Sequence, residues 1–300
     1  MDNFSDTLIN LGTVKNSRVI LEISPKEENI PDFIKQSYES AGAVLYAYFK
    51  GIINAVADIL PAVLIDKSAF DVYGPGGTLA FDMIAKFAHS KGIMVITDVN
   101  AGGMAGALKN SYEAYFKGSG DVNDGLFYAD AITVSPYSDA ASLKEVAGRA
   151  SRDGRGLFMT IRATASSDKT HIENLITKDD DVELFYSAAD DSAAFGENFV
   201  GEHGYSTLGM ITFAGKELFK LRHTNRWGLI LVRADFSQLD DNDTFAGFYE
   251  KEGEGEFIII GDDVVNAWKY VNGLPENYAE FTREALKKAN SKTEAARKSK

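Results

Sequence analysis

Short apolar runs rich in β-branched residues alternate with amphipathic stretches of helical length along the whole 300-residue chain. This alternation is typical of strand–helix units whose strands pair in parallel. No shift in composition between the units indicates a linker. Eight runs follow the strand pattern, at 18–24, 62–66, 92–98, 130–135, 156–162, 206–212, 228–232 and 256–260.

Eight strand–helix units predict a closed barrel rather than an open sheet. Doubly wound open sheets more often stop at five or six strands, and nearly continuous apolar strands are typical of a sheet that is covered on both faces. We therefore expect an α/β fold, a single-domain (β/α)8 TIM barrel over residues 1–290. The basic, polar residues 291–300 are expected to form a flexible tail.

The composition excludes several kinds of site and partner. The absence of cysteine removes disulfides and thiolate chemistry, and the four histidines show no metal-binding spacing, so we expect no cofactor. A formal net charge of −13 repels nucleic acid and anionic lipid. No apolar run approaches the ~20 residues that span a bilayer, and no secretory signal precedes the first strand. We expect a soluble, cytoplasmic protein that binds neither nucleic acid nor membrane.

In a TIM barrel the functional side chains lie at the carboxyl ends of the strands, which form the mouth of the barrel. This rule selects candidates independently of any motif. The candidates are Ser24, Asp66, Asp98, Ser135, Arg162, Arg233 and Asp262.

The stretch ITDVNAGGMAGA, residues 96–107, joins the third strand to a helix. Asp98 and Asn100 are two positions apart, so both are expected to face the mouth and to bind a ligand. An equally open alternative is that Asp98 caps the following helix and Asn100 closes the turn. The glycines follow no phosphate-binding pattern, and they are expected to serve tight backbone geometry.

Glu22 lies on the same side of the first strand as Ser24 and is expected to face the barrel axis, one layer deeper. A buried carboxylate needs a partner. Odd-numbered strands contribute to the same interior layers, so we expect a contact with Arg162, or a raised Glu22 pKa if none forms.

Acidic residues crowd the ends of the seventh and eighth strands, where many TIM-barrel enzymes bind a phosphate. These charges would repel a phosphate. A divalent-cation site of Asp235 with Asp262 or Asp263 is a weak candidate, and a solvated acidic face is the alternative.

Several segments, in order and spacing, resemble the orotidine 5'-phosphate decarboxylase family, in particular its longer bacterial branch. They are RVILEISPKEENIPDFI, SAFDVYGPGG, GIMVITDVNAGG, DAITVSPYSDAASL, GLFMTIRATASSD and GENFVGEHGYSTLG. The resemblance covers about residues 18–290. It implies a (β/α)8 barrel, a homodimer, and cofactor-free conversion of orotidine monophosphate to uridine monophosphate.

The chain departs from the family in the motif that performs this reaction. Members of the family that this chain resembles carry Asp-x-Lys-x-x-Asp after the third strand. Their lysine protonates the ring carbon as carbon dioxide leaves. Asp98 matches the first acid, whereas Asn100 stands at the lysine and Gly103 at the second acid. An amide can neither donate that proton near neutral pH nor supply the charge.

Other positions implied by the resemblance have also changed. Ser24 replaces an aspartate that holds the ribose, and Leu64 replaces a second-strand lysine. Thr164 keeps a polar group at the pyrimidine-recognising position, and Gln238 is the remnant of a phosphate-binding turn. Asp262 stands where an arginine contacts the phosphate, which reverses the sign of that interaction.

Three functions therefore remain open. The first is a non-catalytic relative, without decarboxylase activity or with strongly impaired activity, whose barrel has a binding, regulatory or structural role toward a small molecule or a protein partner. The second is a divergent decarboxylase that forms UMP in pyrimidine biosynthesis with a relocated lysine, Lys67 or Lys109. The third is a different, metal-assisted enzyme on the same barrel. Ser24, Asp98, Asn100, Thr164 and Gln238 are the predicted ligand-binding residues.

Overall fold

The computed structural model describes residues 2–104, 106–117, 127–162, 174–176, 182–241, 244–245, 248–249, 254–271 and 273–298. Its eight parallel strands pair in chain order, and the eighth pairs with the first to close the barrel. The predicted (β/α)8 TIM barrel is confirmed. The strands are β1 (Val19–Ile23), β2 (Ala62–Asp66), β3 (Met94–Ala101), β4 (Ala131–Val134), β5 (Gly156–Thr160), β6 (Ser206–Phe213), β7 (Gly228–Arg233) and β8 (Glu256–Ile260).

Helices of the described residues cover the outside of the barrel and its amino-terminal end. They are α1 (Phe4–Val14), α2 (Asp32–Ser37), α3 (Ala41–Val56), α4 (Lys67–Asp71), α5 (Gly74–Ser90), α6 (Ala107–Tyr112), α7 (Ala140–Arg152), α8 (Leu184–Gly196), α9 (Leu218–Thr224), α10 (Asp262–Val265) and α11 (Tyr278–Lys298).

Two apolar layers hold the barrel together, as the pattern of the strands requires. One fills the barrel interior and includes Ile20, Leu64, Ile96, Phe158 and Phe257, all nearly inaccessible to solvent. The other lies between the outer faces of the strands and the helices. Because both faces of each strand are covered, the strands read as nearly continuous apolar runs.

Helix α1 closes the amino-terminal end of the barrel, a feature that the sequence analysis did not predict. Phe4, Leu8 and Ile9 are buried against the interior layer. The Asp6 carboxylate accepts the backbone N–H groups of Glu202 and His203 at 2.8 and 2.9 Å. The GENFVGEHGY segment therefore anchors α1, at the end of the barrel opposite the mouth.

The basic residues after position 290 continue α11 to Lys298, where the sequence predicted a flexible tail. Thr293 is buried, Lys292 pairs with Asp240 at 2.5 Å, and Arg297 pairs with Glu294 at 2.6 Å. These contacts give the segment a packed face, which composition alone does not reveal. None of the helices in the described part of the chain has the length and apolarity needed to span a bilayer.

Candidate functional site

Three charged side chains meet at the barrel mouth, at the ends of β1, β3 and β7. Arg233, the last residue of β7, places Nη2 2.6 Å from Asp98 Oδ2 and 3.2 Å from Glu22 Oε1. The three side chains are only 20–23% exposed. Arg233 thus links the first, third and seventh strands across the barrel axis.

Glu22 faces the mouth as predicted. Of the two predicted outcomes, the contact with Arg162 does not form, and the raised pKa of Glu22 is found. Arg162 instead lies 3.4 Å from Glu217 and over the ring of Phe185. Burial raises the pKa of the Glu22 carboxyl, and Arg233 only partly opposes that shift. Glu22 therefore holds a proton more readily than an exposed glutamate does.

Asp98 is held in place from two sides. The Thr133 hydroxyl donates to Asp98 Oδ1 at 2.7 Å and accepts the backbone N–H groups of Val99 and Asn100 at 3.0 and 2.7 Å. The helix cap considered for Asp98 does not form, because the N-cap residue of α6 is Gly106 and no side chain caps this helix. The Asp98 carboxylate therefore lies at the mouth, where it contacts Arg233.

The end of β3 is irregular beyond Asp98. Its pairing with β4 shifts register between Thr97 and Ala101, and Asn100 has a left-handed φ of 44°. The simple alternation behind the sequence prediction does not apply there, yet the exposed Asn100 side chain still lines the same cavity as Asp98. Gly102 and Gly103 have φ values of 125° and 84°, so they serve backbone geometry.

The ends of β1 and β2 contribute a second polar contact. Ser24 donates from its hydroxyl to Asp66 Oδ2 at 3.1 Å, and Asp66 Oδ1 caps α4 through the N–H of Ala69 at 3.2 Å. Leu64, paired with Glu22 in register, is buried in the barrel interior. The second strand therefore offers a carboxylate at the mouth and an apolar side chain beneath it.

The two acidic residues that follow β8, Asp262 and Asp263, have partners of their own. Asp262 forms an ion pair with Lys26, which raises the pKa of the Lys26 ammonium, and Asp263 accepts the N–H of Phe236 at 2.7 Å. Gln238 Oε1 accepts the N–H of Asp235 at 2.9 Å. Within the described ranges, no three His, Cys, Asp or Glu side chains are grouped so as to hold a metal ion.

Lys67 lies closer to the mouth than its position past β2 led us to expect. Its side chain, 13% exposed, pairs with Asp71, and the ammonium lies over the rings of Phe81 and Phe127 at 5.5 and 5.7 Å. Lys67 lines the same cavity as Asp98. Lys109 is exposed on α6 and does not line it.

Two cavities open at the mouth, and Glu22 and Arg233 line both of them. The β8 cavity, about 350 Å³, is also lined by Ser24, Lys26, Gln238 and Asp262. The β3 cavity, about 470 Å³, is also lined by Asp66, Lys67, Asp98, Asn100, Tyr115 and Phe127. Each volume is at the lower end of the range for small-molecule sites.

The remaining sequence candidates contribute less to these cavities. Ser135 is buried and accepts the N–H of Tyr137 at 3.2 Å, and Ser135 and Arg162 do not line either cavity. Thr164 falls outside the described residues. Lys26 and Tyr115 line these cavities but were not among the predicted site residues. Of the two, only Lys26 could have been predicted, because it lies just past the first strand.

Comparison with known proteins agrees with this architecture. No family model matches the chain. An orotidine 5'-phosphate decarboxylase of Caldicellulosiruptor saccharolyticus is 27% identical over 302 residues, covering 96% of this chain and 98% of the relative. The enzyme of the same name from Caldicellulosiruptor bescii is 29% identical over 224 residues, covering 71% of this chain and 72% of the relative.

Solved structures give the same result for the fold. Orotidine 5'-monophosphate decarboxylase of Plasmodium berghei has a TM-score of 0.74 at 14% identity, covering 98% of this chain and 99% of that chain. The OMP decarboxylase of Leishmania donovani has a TM-score of 0.69 at 17% identity, covering 96% of this chain and 99% of that chain. This chain is a homologue of the orotidine 5'-phosphate decarboxylases over most of its length, and it has their barrel.

Proposed function

We propose that this protein is a non-catalytic relative of the decarboxylases, and that its barrel mouth is a binding site without decarboxylase activity. The observation that carries the proposal is the pairing of Arg233 with both Asp98 and Glu22. The Arg233 guanidinium is thereby already neutralised by the chain's own carboxylates. Arginine also stays protonated at all ordinary pH values, so it cannot replace a lysine as proton donor.

The charge balance of the mouth supports the same proposal. Six carboxylates and three cations line the two cavities among the described residues, and each cation forms an ion pair. Orotidine 5'-phosphate, named in the relatives' activity, carries a phosphate and a carboxylate. Bringing such an anion into this mouth means placing like charges together in a partly buried site, which costs free energy.

The decisive experiment follows the absorbance of orotidine 5'-phosphate in the presence of the purified full-length protein. We expect no turnover above that of heat-denatured protein. Isothermal titration with orotidine and uridine monophosphates completes the test, and we expect no saturable heat at millimolar nucleotide. Saturable turnover overturns the proposal.

The divergent decarboxylase is kept as a second candidate because of Lys67. This lysine is largely shielded, lines the β3 cavity with Asp98, and carries a proton that a reacting carbon could accept. Its pairing with Asp71 and its contacts with two aromatic rings hold the ammonium in place.

Lys67 gives this candidate a sharp test. If the wild-type protein turns over orotidine 5'-phosphate, Lys67→Met should lower kcat by about 10²-fold or more, because a misplaced or missing proton donor has effects of that size. Lys109→Met is the matched control, since Lys109 is exposed and lies outside the cavity. Equal effects of the two substitutions would remove Lys67 from the mechanism.

A further inference from the structure

Arg233 divides the barrel mouth. The β8 and β3 cavities share only Glu22 and Arg233 among their lining residues, and those two side chains are in contact. The β8 cavity, about 350 Å³, and the β3 cavity, about 470 Å³, therefore meet at the Arg233–Glu22 contact, which a ligand occupying both would have to cross. The position of the guanidinium therefore limits the length of any ligand.

The Arg233 guanidinium lies between the carboxylates of Asp98 and Glu22, and we call the space that it occupies the guanidinium slot. Asp98 Oδ2 and Glu22 Oε1 approach the same nitrogen from β3 and β1, and Thr133 fixes the Asp98 carboxylate from behind. Planar guanidinium groups pair well with carboxylates because their N–H donors form a fixed fork. Arg233 Nε has no hydrogen-bond partner among the described residues, so the protein satisfies only part of this fork.

The β3 cavity on one side of Arg233 presents mainly acceptor oxygens. Asp66, Asp71, Asp98 and Glu22 line it, against Lys67 and Arg233, and both cations are paired. The exposed Asn100 side chain also lines this cavity, and Glu22 contacts Arg233 through Oε1. Beside these polar groups, the rings of Tyr115 and Phe127 stack at 5.4 Å and offer an apolar surface.

We propose that Arg233 is the specificity-determining residue of this mouth: by occupying the guanidinium slot between Asp98 and Glu22, it restricts the β3 cavity to compact, non-anionic ligands rich in hydroxyl or amine donors. This inference rests on the binding role proposed above and adds a ligand class to it. The carboxylate oxygens of the β3 cavity accept hydrogen bonds from ligand donors and repel ligand anions. The Arg233 side chain excludes molecules that are too long for this cavity.

The test compares three probes by isothermal titration. Glucosamine is compact, donor-rich and cationic; uridine monophosphate is long and anionic; agmatine carries a guanidinium on a chain that ends in an ammonium. For the wild-type protein we expect glucosamine to bind in the millimolar range and uridine monophosphate at least tenfold more weakly, which gives no saturable heat at millimolar nucleotide. Asp98→Asn should weaken glucosamine binding several-fold.

Arg233→Ala empties the slot. Agmatine should then bind about tenfold more tightly to the variant than to the wild-type protein, because its guanidinium takes the place of the lost side chain. Arg283→Ala is the matched control, since it also removes an arginine from an ion pair, with Asp58, but lines neither cavity and leaves the slot filled. Its agmatine affinity should match that of the wild-type protein.

Because Arg233→Ala leaves two carboxylates unpaired, the double variant Arg233→Ala/Glu22→Gln is measured alongside it, with circular dichroism as the check on folding. The double variant should bind agmatine more tightly than wild type but more weakly than the single variant. Equal agmatine affinity in wild type and both variants overturns the inference, as does uridine monophosphate binding as tightly as glucosamine. The agmatine comparison uses neither a nucleotide nor the decarboxylation assay, so the two proposals can fail separately.

Discussion

Arg233 and Asp98 lie 135 residues apart in the chain and 2.6 Å apart at the barrel mouth. Their contact joins β7 to β3 across the axis, where no backbone hydrogen bond can reach. An ion pair in this position acts on both the stability and the chemistry of the mouth, because it fixes two strand ends and decides which charges a ligand meets.

Replacing Arg233 with methionine should destabilise the protein at neutral pH. The substitution leaves Asp98 and Glu22 partly buried without their cation, for which we expect a loss of about 1–3 kcal/mol in the free energy of unfolding. Urea unfolding measures this loss. Lys26→Met is the control, because its pair with Asp262 is about half exposed and should contribute no more than about 1 kcal/mol. Equal losses in the two variants would contradict a special role for Arg233.

Glu22 should make the protein less stable as the pH rises. Its pKa in the folded state lies above the ordinary value of 4.5, so the unfolded chain releases this proton first when the pH increases. The folded state is therefore favoured below the ordinary pKa, and this contribution is lost as the pH passes upward through the raised pKa.

Glu22→Gln removes this titration. We expect the difference in Tm between Glu22→Gln and wild type to move in favour of the variant between pH 4 and pH 7, measured by thermal unfolding at fixed ionic strength. Glu276→Gln, at an exposed position, should show no such trend. A difference that stays constant with pH would mean that Glu22 titrates alike in the folded and unfolded chains.

The barrel could be predicted from the sequence because its strands are buried on both faces. All eight apolar runs overlap a strand, and β2 and β8 match the predicted bounds, since burial on both faces leaves a direct trace in residue type. Helix α1 was missed because it precedes the first strand–helix unit and its role is to close one end of the barrel. That α1 closes the barrel can be recognised only once the barrel itself is known.

The partner of Glu22 shows where sequence reasoning stops. Arg162 and Arg233 were both predicted at the carboxyl ends of odd-numbered strands, so the layer rule allows either of them. The structure ends β5 at Thr160, which places Arg162 two residues past the strand, whereas Arg233 is the last residue of β7. Height along the barrel decides the pairing, and height depends on register and strand length, which a single sequence does not give.

A second ion pair lies at the opposite end of the barrel and should contribute more to stability. Arg222 and Glu256 are 1% and 0% exposed, with Nε 3.0 Å from Oε1. Arg222 also donates to the carbonyl oxygens of Asn225 and Gly228 at 3.0 Å. Arg222→Met should cost about 3–5 kcal/mol in urea unfolding, because it removes the guanidinium from a fully buried ion pair and leaves the Glu256 carboxylate buried without it.

The double variant Arg222→Met/Glu256→Leu distinguishes the loss of one charge of the pair from the loss of both. Removing both charges should recover most of the stability that Arg222→Met loses, since no buried charge is left without a partner. If the two single losses simply add in the double variant, the buried pair is not the source of the effect.

The anchoring of α1 depends on a close approach between Asp6 and Gly201. A Cβ atom at position 201 would lie 2.4 Å from Asp6 Oδ2, while the same carboxylate accepts the N–H groups of Glu202 and His203. Gly201→Ala should therefore push the Asp6 carboxylate away from both donors, at a cost of about 1–3 kcal/mol. Amide hydrogen exchange should quicken in α1 and at 201–205, with little change at β2 and β3.

A double-mutant cycle tests whether the clash with Asp6 causes this loss. In an Asp6→Ala background the clash is absent, so Gly201→Ala should cost much less there than in the wild-type chain, and the two effects should not add. Gly148→Ala on α7 is the control, because its Cβ would meet neighbours only at 3.7 Å or more and alanine favours the helix. If Gly201→Ala costs the same in both backgrounds, the glycine is required for some reason other than its contact with Asp6, and the GENFVGEHGY segment does not anchor α1 through that carboxylate.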